Sequence, residues 1–348
     1  MKTFVNRFLG KTLILLASMC CVFISCKTGK GGKGLLPNIS GKAGEVLVVA
    51  ERPMWDDVLK SCVQGYLCAD CPWLPFKEPL YDLATVTPSN FSHMFQIHRN
   101  IIVFNVNSAV TEPGVVYKYD KWAQPQIVVT INANSAEEAR DLFDENSKTI
   151  IEAIEQKERD RIIVNTHTYQ ERKVAVAVEE FLGARMEFPS GYSIKKVDNN
   201  FMWISYETVK VQQGFFIYSY PADGTESQMS LDALVARRNK VLKEEVPGMV
   251  EGSYMTTGTF MPPTISYAKY KGRTFAQLRG LWEVEGDFMG GPFVSHSFYS
   301  PDGLNVVTIE AYVYAPSKNK RHYLRQVEAL LYGFQWLEIE EPETQDQE

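Results

Sequence analysis

Tyr192-Ser193-Ile194-Lys195-Lys196-Val197 and Phe201-Met202-Trp203-Ile204-Ser205-Tyr206-Glu207-Thr208 are two runs of strand length joined by Asp198-Asn199-Asn200. Asp and Asn tolerate turn conformations that most side chains resist, so the pair reads as a hairpin. Gln212-Gln213-Gly214 reads as the next connection and Phe215 to Tyr220 as the third strand of a meander. Downstream, Ser230 caps a helix with Leu231, Leu234, Val235, Val241 and Leu242 on its apolar stripe, stopped by Pro247-Gly248. Four strands are then expected, at Ile265 to Tyr270, Phe275 to Glu285, Phe293 to Tyr299 and Asn305 to Ala315. A last helix places Tyr323, Leu324, Val327, Leu330, Leu331 and Phe334 on one face.

Upstream the texture differs. Glu45 to Ala50 is an apolar run that reads as a strand buried on both faces. Trp55, Val58, Leu59, Cys62, Val63 and Tyr66 follow at helical spacing, with Pro53 at the start, where a missing N–H does no harm. The proline-rich stretch 68 to 89 reads as extended loop, and strands are expected at Asn100 to Asn107 and Gln126 to Asn132 with turns between them. Ser135 and Glu138 form a capping box that opens a helix carrying Ala139, Leu142, Phe143, Ile150, Ile151 and Ile154. The charged cluster Gln156 to Arg161 is placed to kink or break it, after which a helical pattern runs to a stop at Gly183. The fold class is therefore α+β, with two α/β domains of which the second is an antiparallel sheet packed by helices.

The first residues bear on location. Lys2, Arg7 and Lys11 precede an apolar run from Leu13 to Ile24. That run is shorter than the roughly 20 apolar residues a membrane span needs and suits a signal-peptide core. Phe23-Ile24-Ser25-Cys26 resembles the lipobox of bacterial lipoproteins, which implies cleavage before Cys26 and its acylation. At about 0.8 kcal/mol per buried CH₂, several acyl chains anchor a protein stably. The organisation expected is a signal peptide at 1–25, a flexible basic tether at 26–42, α/β domains at 43–183 and 184–337, and an acidic tail at 338–348. Lipoproteins that reach the surface of Bacteroidota carry acids just after the cysteine; here the residues are basic, which implies the periplasmic side of the outer membrane.

With residues 1 to 25 removed the formal charge falls from −6 to −9. That balance opposes a nucleic-acid partner, whose footprint is basic. Cys62, Cys68 and Cys71 remain as disulfide candidates, an odd number from which at most one bridge closes. No cofactor fingerprint is present, and His93, the histidine nearest the cysteines, does not complete a four-ligand metal set.

Gly44-Glu45-Val46-Leu47-Val48-Val49 with Trp55, Leu74-Pro75, Glu78-Pro79, His98-Arg99-Asn100-Ile101-Ile102, Gly280-Leu281-Trp282-Glu283 and Met289-Gly290-Gly291-Pro292-Phe293 resemble the Bacteroidota lipoproteins grouped as domain of unknown function 4837. The likeness covers nearly the whole mature chain and implies no activity. The order of elements from Met186 to Trp336 is also similar to the Mog1/PsbP type of α/β/α sandwich.

Two faces are candidates for binding. On a strand 278 to 285, Arg279, Glu283 and Glu285 share one side. On Asn305 to Ala315, Glu310, Tyr312 and Tyr314 lie opposite the apolar set and suit a glycan or peptide, since rings stack and acids accept hydrogen bonds. The expectation is a lipid-anchored envelope protein that binds an envelope protein or glycan without catalysis. The alternative is an envelope hydrolase using Glu283 and Glu285 as acid and base, with His296 on the neighbouring strand. Gly290-Gly291-Pro292 reads as a tight turn.

Overall fold

The computed structural model describes residues 35–337. The segments expected to be a signal peptide and an acidic tail, Cys26 and most of the expected tether lie outside them. The described residues from Asn38 onward form one compact unit.

The apolar run at the start becomes β1 (Glu45–Val49), followed by a helix α1 built of Arg52–Met54, a π-helical stretch Trp55–Leu59 and Lys60–Leu67. Then come β2 (Asp82–Val86), β3 (Asn100–Val106), β4 (Gly114–Tyr119) and β5 (Ile127–Ala133). They form one sheet in the order β2-β1-β3-β5-β4, parallel except for the antiparallel edge strand β4. Trp55, Leu59 and Val63 of α1 cover one face together with Phe143, Ile150 and Ile154 of the next helix, α2 (Ala136–Thr168). Loop residues Phe91 and Trp122 cover Val49, Ile101 and Val128 on the other face. Burial on both sides is why β1 reads as an unbroken apolar run.

Ser135 caps α2 as expected, accepting from the Glu138 N–H at 3.2 Å. The charged cluster does not break the helix, which runs 33 residues. Glu158 and Arg161 are buried and paired with each other one turn apart, so the charges stabilise the middle of the helix instead of exposing it. Helix α3 (Arg172–Leu182) ends at Gly183, whose φ of 66° closes it in the left-handed region. Val174 and Val178 of α3 pack into the core of the second sheet.

That sheet begins after β6 (Ala184–Arg185) with β7 (Ser193–Asp198), β8 (Phe201–Glu207) and β9 (Gln212–Pro221). After helix α4 (Leu231–Glu245) it continues with β10 (Tyr254–Thr257), β11 (Thr264–Tyr270), β12 (Arg273–Glu285), β13 (Gly290–Tyr299) and β14 (Asn305–Tyr314). Helix α5 (Arg321–Tyr332) and β15 (Gln335–Trp336), which pairs with β6, complete the described chain. The order is β10-β12-β13-β14-β9-β8-β7, antiparallel throughout, with β11 alongside the first half of β12. Phe215, Ile217, Val294 and Ile309 face α3 and α5, while Phe216, Leu278, Trp282 and Tyr312 share a core with Leu242 of α4. The sheet thus has helices on both faces, the α+β arrangement expected.

Two glycine-containing segments were expected to be connections and are strand. Gln212-Gln213-Gly214 belongs to β9, and the turn before it is 208–211. Gly290-Gly291-Pro292 opens β13. Each glycine makes room for a neighbour: a Cβ on Gly214 would lie 2.3 Å from the Tyr312 ring, and one on Gly291 would lie 2.0 Å from the Val313 carbonyl oxygen. Because that oxygen belongs to the backbone of β14, Gly291→Ala must push two strands apart. An overpacking cost of about 1–3 kcal/mol is expected, measured as a lower urea midpoint at unchanged m-value.

The halves are joined by polar contacts. The Glu78 carboxylate accepts from the Lys320 and Arg321 N–H groups at 2.6 and 3.0 Å, capping α5 from the far side of the chain. Arg321 pairs with Asp82 at 2.7 Å, and Arg325 pairs with Glu155, which also accepts from the Tyr81 hydroxyl at 2.6 Å. Part of the segment expected to be a tether is bonded to the body. Asn38 bridges to Gln124, and Ser40 donates to the Ile97 carbonyl at 2.8 Å, so this segment is held as an extension of the first sheet.

Candidate functional site

The expected alternation on β12 holds, with Leu278, Trp282 and Val284 in the core beneath α4. Arg279 on the other side does not join Glu283 and Glu285. It donates to Glu328 of α5 and to the Gln277 side-chain oxygen at 3.1 Å, and its guanidinium lies 5.3 Å from the Trp73 ring. Glu283 is half-buried opposite Thr256, and Glu285 is exposed opposite Tyr254.

The second expected face is not a surface. Glu310 is 0% exposed and held by Arg238 of α4, itself 1% exposed, through two bonds of 2.8 and 2.7 Å. Burial raises the Glu310 carboxyl above its ordinary range although Arg238 opposes the shift. Tyr312 is buried, accepts from the Trp203 indole N–H at 3.0 Å and stacks on Phe216 at 4.9 Å. Tyr314 is half-buried beside Trp282. Helix α4 covers this face because Arg238 brings a charge to meet Glu310. The signal was present: Arg238 stands four residues from both Leu234 and Leu242, in the middle of the apolar stripe.

His296 lies under α5, stacked on Phe275 at 4.0 Å. Gln277 donates to its Nε2 at 3.0 Å, which places the ring proton on Nδ1, where no partner is found. Burial, with Arg273, Arg279 and Arg159 nearby, holds the imidazole well below its usual range. The unfolded chain therefore takes up this proton first as pH falls, so stability is full above about pH 6.5 and declines below it. The decline expected from this one group is about 1.4 kcal/mol per pH unit down to the folded pKa. Urea midpoints of the wild type and His296→Phe at several pH values should differ most in slope below pH about 6.5.

Cys62, Cys68 and Cys71 are free thiols, within the expected limit of one bridge. Each has separate surroundings: Cys62 faces Asp144 at 3.9 Å, Cys68 the Tyr81 carbonyl at 3.8 Å, and Cys71 packs against the core of the second sheet. Burial pushes Cys71 to about 11. All three should label in unfolded, unreduced protein, and Cys71 should react slowest in folded protein because little thiolate forms.

The structure instead assembles a cleft of about 1030 Å³ between the amino end of the first sheet and the second half. Arg99, Glu158 and Arg161 lie along its floor. Glu158 accepts from Arg99 at 2.9 and 2.5 Å and from Asn100 at 2.7 Å, while Arg161 donates to the Asn100 side chain and to the Pro125 and Arg99 carbonyls. Tyr169, Tyr192, Tyr206 and Tyr323 contribute rings, and Gln213, His322 and Gln326 contribute polar tips. Tyr169 is exposed, whereas Tyr192 and Tyr206 pack together at 5.6 Å. Rings beside hydrogen-bonding groups suit a ligand with both apolar and polar faces. A smaller cleft of about 700 Å³ lies at the carboxyl ends of β1 and β2, lined by Arg52, Trp55, Thr85 and Asn90. Among the described residues no cluster of His, Cys, Asp and Glu is arranged to hold a metal ion.

None of the six residues expected to bind lines either cleft. The cleft residues went unread because they come from seven separate parts of the chain and share no local spacing.

Comparison with known proteins divides the chain in two. Residues 170–333 match the family described as domain of unknown function (DUF4837), and residues 39–167 match a different one, domain of unknown function (DUF8532). No curated protein matches. A solved crystal structure from Bacteroides thetaiotaomicron is similar at 14% identity and a TM-score of 0.25, covering 46% of this chain and 47% of that one, so the chain spans less than half its length. The resemblance expected over the whole mature chain thus holds for its second half, and the motifs around Gly44 and His98 fall in the other family.

Proposed function

We propose that this is a lipid-anchored envelope protein, held at the periplasmic face of the outer membrane by acylated Cys26, that binds an envelope glycan or peptide in the cleft between its halves. The observation that carries the reading is the joining of tyrosine rings and amide side chains over a charged floor fixed by buried hydrogen bonds. The hydrolase alternative loses ground. Its acids, Glu283 and Glu285, lie apart from the cleft, and His296 is sealed beneath α5.

Calorimetric titration of soluble peptidoglycan fragments into the protein tests the proposal. Tyr169→Ala and Tyr323→Ala should each weaken binding by about 0.5–1.5 kcal/mol, roughly twofold to twelvefold in Kd. Equal affinity in both variants would move the ligand elsewhere. Mass spectrometry of the mature N-terminal peptide should find the lipid on Cys26, and an unmodified N-terminus at another residue would remove the anchor.

A further inference from the structure

Strand register brings three turns to one end of the second sheet. Tyr254 pairs with Glu285, Glu283 with Gly290, Phe293 with Tyr312, Tyr314 with Gln212, and Gln212 with Glu207. The turns before β10, between β12 and β13, and between β8 and β9 therefore lie along a single rim. Each ends in a large apolar side chain turned out to solvent: Met249 is 88% exposed, Phe288 106% and Val209 102%. Neighbouring strands lie about 4.8 Å apart, so the rim is on the order of 20 Å long. Along the rim stand Lys210 and Lys318 with Glu251, Glu285 and Asp287, while Glu207 is paired with Lys195 at 2.8 Å.

Isolated apolar points with polar residues between them make no continuous face, so a shape-fitted protein partner would gain little from them. A fluid apolar phase accepts each point separately. The chain enters the body along the cleft that Tyr206 and Gln213 also line, and these two residues flank the Val209 turn. We infer that Val209, Met249 and Phe288 dip into the bilayer surface and set the orientation of the body on the membrane. The inference rests on the lipid-anchored reading. Because the rim carries no excess of basic charge, apolar insertion holds it, and anionic lipid is not required.

The test places the photoreactive residue p-benzoylphenylalanine at position 288, 209 or 249 of the full, membrane-processed protein. The control is position 260, which is exposed on the loop between β10 and β11. Protein is reconstituted in vesicles of phosphatidylcholine alone or with phosphatidylglycerol, floated, irradiated and analysed for lipid adducts by mass spectrometry. Adducts an order of magnitude more abundant at 288, 209 and 249 than at 260, in both lipids, are expected. Protein that floats but shows equal adducts overturns the insertion while leaving the anchor intact. Protein that fails to float overturns the anchor, and the insertion with it. Adducts between two copies would make the rim a self-interface, and adducts only with anionic lipid would replace insertion by charge attraction.

Discussion

Arg238→Leu is expected to destabilise the protein by about 3–5 kcal/mol, the usual cost of leaving one member of a buried ion pair alone. Glu310 would lose both of its strong donors in a site with no solvent, and Thr257 would lose the Arg238 bond at 2.8 Å. Proton uptake by Glu310 would relieve part of the penalty, because burial already raises its carboxyl. The loss should therefore shrink as pH falls toward the carboxyl range, and urea midpoints at two pH values would read it. The double variant Arg238→Leu with Glu310→Leu should recover most of the stability, since apolar replacement of both partners removes the desolvation penalty as well as the attraction. A double variant as unstable as the single one would show that the Phe293 ring, 3.8 Å from the guanidinium, depends on the stem of Arg238 for its packing.

How far the sequence could be read follows from which interactions are local. The Ser135 cap, the Gly183 stop, the Asp198 to Asn200 turn and the long apolar strands depend on neighbours within a few residues, and they stand where expected. β2 and β4 were unread because they are edge strands of mostly half-exposed residues, without an apolar run or clean alternation. The glycines of 214 and 291 were misread because their purpose is to admit a distant side chain or carbonyl, which spacing along the chain does not reveal. The charged positions failed for the same reason. Glu310 and Tyr312 alternate with apolar residues as an exposed face would, yet their partners, Arg238 and Trp203, lie 72 and 109 residues away. The charges of 156–161 were read as a break, whereas Glu158 meets Arg99 across 59 residues.

That same pair supplies the second large effect. Glu158→Ala is expected to cost about 3–5 kcal/mol, because it strands two partly desolvated guanidinium groups at once. Arg161, which burial already lowers to about 10, loses the nearest charge that favours its protonated form. Arg99 loses two bonds, and Asn100 one. Glu158→Gln keeps the shape and an accepting oxygen but not the charge, so a smaller loss of about 1.5–3 kcal/mol is expected, the value of hydrogen bonds to a charged group. Chemical denaturation of the three proteins should give the order wild type, Gln, Ala. The ligand arm separates scaffold from site. Glu158 fixes Arg99 and Arg161 on the cleft floor, so the Gln variant, measured well below its unfolding midpoint, should bind peptidoglycan fragments more weakly than wild type. Unchanged affinity there, alongside the expected stability loss, would mean that the floor supports the fold and the tyrosine walls alone meet the ligand.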